Sequence, residues 1–489
     1  VVMATPLNKR VLKEMGIVST EVDSAGSDDL IVAVNAKDKS SADSAVSEAQ
    51  RLLSEGGGAK GGAGVLSTLD QAVDAEPGLN LAVISVPGRF AKREAAAALE
   101  RGLNVFLFSS NVSRADELEL KKAATARHLL LMGPDCGTAI INHKILGFGN
   151  QVREGNIGLV SASGTGLQEV AVAVHNQGGG ISQAIGTGGG DLSEEVGGLM
   201  TIQALALLED DPETDVIVVV SKPPSARARS AVLSHVRTMK KPVVVNFIGE
   251  GLTEKTDGNI STASTLEKAA DMACRIAGVG GSAREGAWGD ESSFTDVEST
   301  KLAKSQLYLR GLFAGGTLCY EAQAVLRPVL GKIHSNSPLD ARLKIPESGK
   351  SIDHTCIDMG AEEFVVGRAH PMIDSTLRKL RIIEEAKDPQ TAVILLDVEL
   401  GMGSNPDPAG ELAPAIKQAR SIAAEEGRHL PVIVSVLGTK GDFQGLEGQV
   451  KKLEEAGAFV TMVSSRAAMA AGAIISHISS GTGNKGSES

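Results

Sequence analysis

The segment Asn156-Ile157-Gly158-Leu159-Val160-Ser161-Ala162-Ser163-Gly164-Thr165-Gly166-Leu167-Gln168-Glu169-Val170-Ala171-Val172-Ala173-Val174-His175 carries the fold in one pass. Asn156 to Val160 reads as a strand and Leu167 to His175 as a helix. Between them Ser161 to Gly166 is built of small, hydroxyl and glycine residues. Such a turn lets backbone approach an anion, and the helix start adds unpaired N–H groups with partial positive charge. Ser161, Ser163, Gly164, Thr165 and Gly166 are therefore candidates for holding phosphate, and the competing role is a tight turn with Ser163 or Thr165 as an ordinary N-cap. A second glycine turn, Gly186-Thr187-Gly188-Gly189-Gly190-Asp191, follows the next strand. Side by side at the carboxyl ends of parallel strands, the two turns would form the crevice where open α/β sheets bind ligands, with Gly188 and Gly189 facing the anion. Asp191 reads as a ligand contact or a helix cap, and Lys222 as a point charge for phosphate or a solvated loop lysine.

Outward from this unit, short Val/Ile/Leu runs alternate with Ala-rich helical stretches, the pattern of a parallel sheet covered by helices. Leu81 to Val86, Val105 to Phe108 and Leu129 to Met132 are strands of the first third. The chain also repeats itself. Gly164-Thr165 followed by Glu169 recurs as Gly316-Thr317 followed by Glu321. Asp211-Pro212 before a strand recurs as Asp388-Pro389, and Pro242-Val243-Val244-Val245 as Pro431-Val432-Ile433-Val434. The offsets grow from 152 through 177 to 189, as loop insertions in a second copy would produce. Shared strand-to-turn chemistry of doubly wound domains is the competing explanation. Glycine-rich tracts at Gly56 to Gly64 and from Gly278 to about Ser299, the latter with the only tryptophan, Trp288, read as loops.

At 489 residues and roughly 150 per domain, about three domains are expected. One Trp, two Tyr and 10 Phe leave an aliphatic interior and no ring-stacking surface. A net charge of −12 argues against nucleic-acid or anionic-membrane partners. Cys136, Cys274, Cys319 and Cys356 show neither zinc spacing nor a disulfide framework, so no metal is assigned and a cytoplasmic location is expected. No apolar run is long enough to span a membrane, and the start, Val1-Val2-Met3, reads as the inside of a strand whose upstream part is missing.

In the second copy the matching turns are Phe313 to Thr317, Asp358-Met359-Gly360 and Gly401-Met402-Gly403-Ser404, with Gly401 and Gly403 as phosphate candidates. Gly367-Arg368-Ala369-His370-Pro371-Met372-Ile373-Asp374 puts Arg368 and His370 where an anion clamp and a proton carrier would be wanted, although a structural histidine is the competing role. Gly349-Lys350-Ser351 lacks the leading glycine of a Walker A loop, and Glu169 stands where a dinucleotide fingerprint needs its third glycine. No nucleophile elbow or zinc-protease helix is present.

Gly133-Pro134-Asp135-Cys136-Gly137-Thr138, the Asn156 to Gly166 unit and the Gly188-Gly189 loop resemble the nucleoside-diphosphate-forming acyl-CoA synthetase superfamily, that of succinyl-CoA synthetase, and the Gly367 to Asp374 block resembles its FdrA branch. The resemblance covers about residues 75 to 475. It implies an α/β chain with a Rossmann-like, CoA-binding-like domain over 1–148 and a flavodoxin-like ligase domain, as in the synthetase α subunit, over 149–278. A linker over 279–304, a second such domain, as at the end of the β subunit, over 305–478, and a disordered tail over 479–489 complete it.

The departures from the family are chemical. Synthetases pass a phosphoryl group through a histidine after the strand that ends here at Asn246 to Gly249, yet no histidine lies between His235 and His334. The glutamate steadying that phosphohistidine would fall near Ser221-Lys222-Pro223, which has no carboxylate. No ATP-grasp domain is recognisable. The resemblance thus implies a protein that binds acyl or carbamoyl phosphate and takes part in acyl or carbamoyl transfer, in ureide or oxamate metabolism, with companion subunits in an oligomer. Arg368 and His370 would contact the acyl side. The alternatives are an acyl-CoA ligase working with a separate ATP-grasp partner, with CoA as a ligand, and a non-catalytic metabolite-binding scaffold.

Overall fold

A computed structural model describes residues 2–26, 29–34, 36–54, 66–250, 253–279, 291–346 and 350–482. Gly56 to Gly64, Trp288, Gly349 and residues 483–489 lie outside the described residues. Within it the chain is α/β throughout, a Rossmann-like domain followed by two flavodoxin-like domains. The strands Leu81–Ile84, Asn104–Leu107 and Leu131–Met132 pair in parallel as the Rossmann-like sheet.

The duplication is visible in sheet topology. In the first ligase-type domain the strands Glu154–Ser161, Ile181–Gly186, Val216–Ser221, Val243–Phe247 and Ile260–Thr262 follow one another in sequence. Numbered within the domain, they lie in the order 2-1-3-4-5, all parallel. The second domain repeats that order with Tyr308–Phe313, Thr355–Asp358, Thr391–Glu399, Val432–Leu437 and Phe459–Thr461. This is the flavodoxin-like winding, with its switch point beside the first strand. Val216–Ser221 and Thr391–Glu399 are buried along their whole length, as a central parallel strand covered on both faces must be.

Three expected boundaries fall differently in the fold. The hairpin Thr138–Ile141 and Lys144–Gly147, placed by sequence in the first domain, joins the first ligase sheet through Ile140 opposite Ala184. The stretch expected as a linker holds the helix Glu291–Ser299, whose Phe294 stacks on Phe459 at 4.1 Å between ring centroids. The last helix runs Ser464–Thr482, into residues expected to be disordered, and packs on the Gly316–Leu330 helix. Ahead of the Rossmann-like strands, Val2–Met3 and Leu30–Ile31 form a separate two-stranded antiparallel sheet with the helix Pro6–Glu14.

The two ligase-type domains meet through their first helices, Gly164–Asn176 and Gly316–Leu330. Glu169 and Glu321, equivalent residues of the repeat, each reach across. Glu169 accepts a hydrogen bond from the Ser464 N–H, 3.0 Å, at the start of the last helix of the second domain. Glu321 accepts from the Leu266 N–H, 2.8 Å, at the start of the last helix of the first. Each helix start thus receives an acceptor from the other domain for an otherwise unsatisfied donor. Burial pushes Glu169 up to about 8, with Glu321 adding to it, and pushes Glu321 up to about 7.

The folded protein therefore keeps protons that an unfolded glutamate releases near 4.5. The stability from this pair is fully present below about 4.5 and is lost as pH rises through about 7 and 8. Glu169→Gln keeps an oxygen for the Ser464 N–H. By calorimetry it should raise the unfolding midpoint at pH 8.5 by about 3 °C or more and leave it nearly unchanged at pH 5.

Candidate functional site

The strand Glu154–Ser161 runs into its turn with Ser161 fully inside. Its Oγ accepts from the Ser163 N–H at 3.0 Å and donates to the Ser163 carbonyl at 2.7 Å, which shapes the turn from within. Ser163 is the N-cap, its Oγ accepting from the Gly166 N–H at 3.1 Å. The cap role expected for Ser163 is thus real, and it leaves the Gly164 and Thr165 N–H groups without a partner among the described residues. Gly164 and Thr165 are half-buried at the crevice edge.

Opposite stands the same construction from the second copy. Gly315 caps the Gly316–Leu330 helix without a side chain, and Thr317 Oγ1 meets Ser163 Oγ directly. Gly166 is glycine because a Cβ there would lie 2.9 Å from Thr317 Cγ2. Two helix starts, one per domain, therefore converge with their dipoles' positive ends together. The buried carboxylate of Asp397 receives the Ala314 and Gly315 N–H groups, both at 2.8 Å, and pairs with Arg378, which fixes the second turn from behind.

Lys222 and Asp358 complete the crevice. Lys222 Nζ, after the strand Val216–Ser221, lies 4.0 Å from Asp358 Oδ2, at the end of Thr355–Asp358, and 5.0 Å from the centre of the Tyr320 ring. Both groups crowd Gly316, where a Cβ would be 2.5 Å from Asp358 Oδ2 and 2.9 Å from Lys222 Nζ. Burial pushes the Asp358 carboxyl upward, opposed by Lys222. Sequence reasoning offered Lys222 with a solvated alternative and missed its carboxylate partner. It also missed Thr138, whose buried Oγ1 has no hydrogen-bond partner and would sit 3.3 Å from a Cβ on Gly164.

The other candidates divide. Gly188 has φ +82°, and a Cβ there would collide with the Pro134 carbonyl at 2.2 Å, so this glycine seats the turn on the Gly133 to Thr138 segment. Gly189 faces Asp135. Asp191 is a buried cap, accepting from the Met200 and Thr201 N–H groups and paired with buried Lys121 at 2.9 Å. Gly401 and Gly403 pack on 148–150: Met402 and Gly149 exchange backbone hydrogen bonds, and a Cβ on Gly403 would strike Phe148 at 2.8 Å. Backbone packing of this kind calls for glycine at both positions, and the second-copy turn that meets Ser163 is Gly315 to Thr317. His370 Nε2 lies against Gly360, next to Asp358, while its Nδ1 accepts from the Met372 N–H at 3.2 Å. Arg368 is half-buried with Nε unpartnered, and no hydrogen bond ties it to either helix start among the described residues.

Known proteins fall on this architecture in pieces. Residues 312–474 match the family model described as CoA-ligase, 152–249 the CoA binding domain, and 1–67 the model described as AllF, heavy metal-associated domain. The CoA-binding match falls on the first ligase-type domain, whereas the sequence resemblance had put that likeness in the Rossmann-like one. YahF, an uncharacterized protein of Escherichia coli strain K12, is 44% identical over 471 residues, covering 96% of this chain and 91% of YahF. The chain belongs to this FdrA-like family of the nucleoside-diphosphate-forming acyl-CoA synthetase superfamily. The α subunit 1 of the ADP-forming succinate–CoA ligase of Archaeoglobus fulgidus is 28% identical over 199 residues, 40% of this chain and 66% of that subunit. The apo dinucleotide-forming acetyl-coenzyme A synthetase 1 of Ca. Korarchaeum cryptofilum covers 81% of this chain and 83% of its own at 18% identity, with a TM-score of 0.29. Among the described residues no helix of this FdrA-like chain is long and apolar enough to cross a membrane.

Desolvation holds His370 down at about 4, and Asp397 only partly offsets it. Its Nδ1 is an acceptor, so the proton of the neutral ring is on Nε2, toward the crevice. The stability contributed by the neutral ring is lost as pH falls below its ordinary 6.5 through about 4. In imidazole NMR spectra His370 should stay neutral at pH 6 and titrate near 4. A ring that titrates near 6.5 contradicts the geometry.

Proposed function

We propose that the crevice between the two helix starts binds the phosphate of an acyl phosphate, of which carbamoyl phosphate is the smallest amide-bearing case, and that this FdrA-like protein takes part in acyl or carbamoyl transfer with companion subunits. The observation that carries the proposal is the convergence of the Gly164 and Gly316 N-termini, joined by Ser163 and Thr317, with Lys222 beside them. Free N–H groups, two dipole ends and one ammonium supply what an anion needs inside a chain of net charge −12. In the transfer, an acceptor nucleophile attacks the carbonyl carbon, the carbon–oxygen bond to phosphate breaks, and phosphate leaves with the electron pair into these donors. Preorganised donors at the point where charge develops are the main aid such a site can give. Arg368 and His370 would face the acyl group, His370 through the neutral Nε2–H.

The matches to CoA-ligase and CoA-binding models favour a second reading: acyl-CoA formation with CoA as acceptor and an ATP-grasp partner in another chain. The gap between His235 and His334 leaves no phosphohistidine at the family's place, so in that case the acyl phosphate would have to be delivered ready-made.

Titration calorimetry with carbamoyl phosphate and with inorganic phosphate is the direct test. Both should bind, and Lys222→Met should weaken both about 10-fold or more, the usual effect of a lost charge-assisted contact. Ser163→Ala should weaken them by a smaller factor, since a backbone cap rather than a charge is removed. Absence of binding by wild type, alone and with candidate companion subunits, sinks the proposal. Release of phosphate that depends on CoA rather than on an amine acceptor selects the second reading.

A further inference from the structure

The model matched at 1–67 is described as heavy metal-associated, yet this stretch contains neither Cys nor His. Soft metal ions select thiolate, thioether and imidazole ligands, and the two thioethers here, Met3 and Met15, have no thiolate or imidazole to complete such a site. The residues present do not fit the group.

What the N-terminal unit holds instead is one backbone carbonyl of the second ligase-type domain. The Met3 N–H donates to the Gly367 carbonyl at 3.0 Å. Asn8, fully buried on the helix Pro6–Glu14, donates Nδ2–H to the same carbonyl at 3.1 Å and to the Met3 carbonyl at 2.9 Å. The Asn8 N–H is itself held by the Thr5 cap at 3.3 Å. Gly367 has φ +70°, and a Cβ on it would press on Met3 Cβ and Thr5 Cγ2, each at 2.9 Å. Beyond Gly367 the segment carries Arg368 and His370 before the next helix, Thr376–Lys387, begins. The far end of the segment has its own anchors. The Ile373 and Asp374 N–H groups return to the His370 carbonyl and the Met372 N–H to its ring. Asn405 donates to the Met372 and Ile373 carbonyls, both at 2.8 Å, and Thr376 donates to Asp374. The near end has the Arg368 N–H on the Val365 carbonyl and the N-terminal unit on the Gly367 carbonyl.

We infer that the N-terminal unit is a positioning device for the Gly367 to Asp374 block, acting through Asn8 and Met3 on the Gly367 carbonyl, and not a metal carrier. Its consequence for ligand binding rests on the proposed function, in which Arg368 and His370 face the acyl group. Asn8 is a positioning residue, since it touches neither the crevice nor its donors. A displaced Gly367 would move Arg368 and His370 while leaving the Ser163–Thr317 contact in place.

Hydrogen exchange and calorimetry on the full chain test this. Asn8→Asp is isosteric but lacks the Nδ2 donors. It should speed exchange at 367–374 about 10-fold or more, leave 164–170 unchanged, and weaken carbamoyl phosphate binding about 10-fold while leaving inorganic phosphate binding as in wild type. If Asn8→Asp also exposes the helix Pro6–Glu14, Gly367→Ala decides, because it strains the contact from the other side and should reproduce the same pattern. Excess zinc ion should leave exchange in the N-terminal unit unchanged. Unaltered exchange at 367–374 in both variants, equal weakening of both ligands, or zinc-induced protection of the N-terminal unit overturns the inference. If wild type binds neither ligand but exchange at 367–374 responds, the proposed function fails and the positioning role stands.

Discussion

The reciprocal caps from Glu169 to the Ser464 N–H and from Glu321 to the Leu266 N–H are the constraint on which the rest of the molecule depends. Each carboxyl comes from the first helix of one domain and satisfies the last helix of the other, so neither helix start can be buried without the opposite domain in place. Removing either carboxyl from the assembled protein would leave a buried donor unmet, which costs on the order of 1–3 kcal/mol. The exchange also fixes the mutual orientation of the Gly164 and Gly316 helices. Five residues before each glutamate lies the glycine at which that helix starts, so fixing the glutamates brings both starts to one place. The anion crevice is thus a geometric consequence of the domain interface rather than a separate construction.

Much of this was legible in the sequence because it is periodic or local. The strand, the small-residue turn and the helix at 156–175 fall where their side chains say they should, and the Gly-Thr…Glu repeat pointed to two copies before any sheet order was known. What the repeat could not disclose is partnership. Glu169 and Glu321 read as equivalent glutamates on helices, and only folding shows that each serves the other copy. The same limit hid the pairing of Lys222 with Asp358, which lie far apart in sequence and come from different domains. Gly401 and Gly403 are ambiguous in sequence for the opposite reason. A glycine required by close backbone packing and a glycine required by a ligand are the same letter, and only the approach of Gly149 and Phe148 tells them apart. The helix Glu291–Ser299 was obscured by its polar composition, since what holds it is contact with Phe459 and the last helix, not its own periodicity.

The loss of the family's relay histidine gains physical meaning beside the Lys222 and Asp358 pair. A phosphohistidine must be approached by an anionic donor and then discharge to an anionic acceptor, so a site serving it gains from a nearby carboxylate that orients the imidazole. Here the first domain offers an ammonium where that carboxylate would fall, and the carboxylate comes from the second domain, buried and biased toward its protonated form by desolvation. Such an arrangement does not suit a shuttling phosphorylated side chain. Under the proposed function it would serve a phosphate that arrives already joined to its acyl group and needs neutralising as it leaves. The lysine can move toward an incoming anion because its partner is 4.0 Å away, a loose pair rather than a closed bidentate one. With a net charge of −12 working against long-range attraction of an anion, its affinity would have to be made inside the crevice, by donors held in place. On the proposed reading, two convergent helix starts would let an acidic chain hold one small anion without the basic surface that an extended polyanion needs.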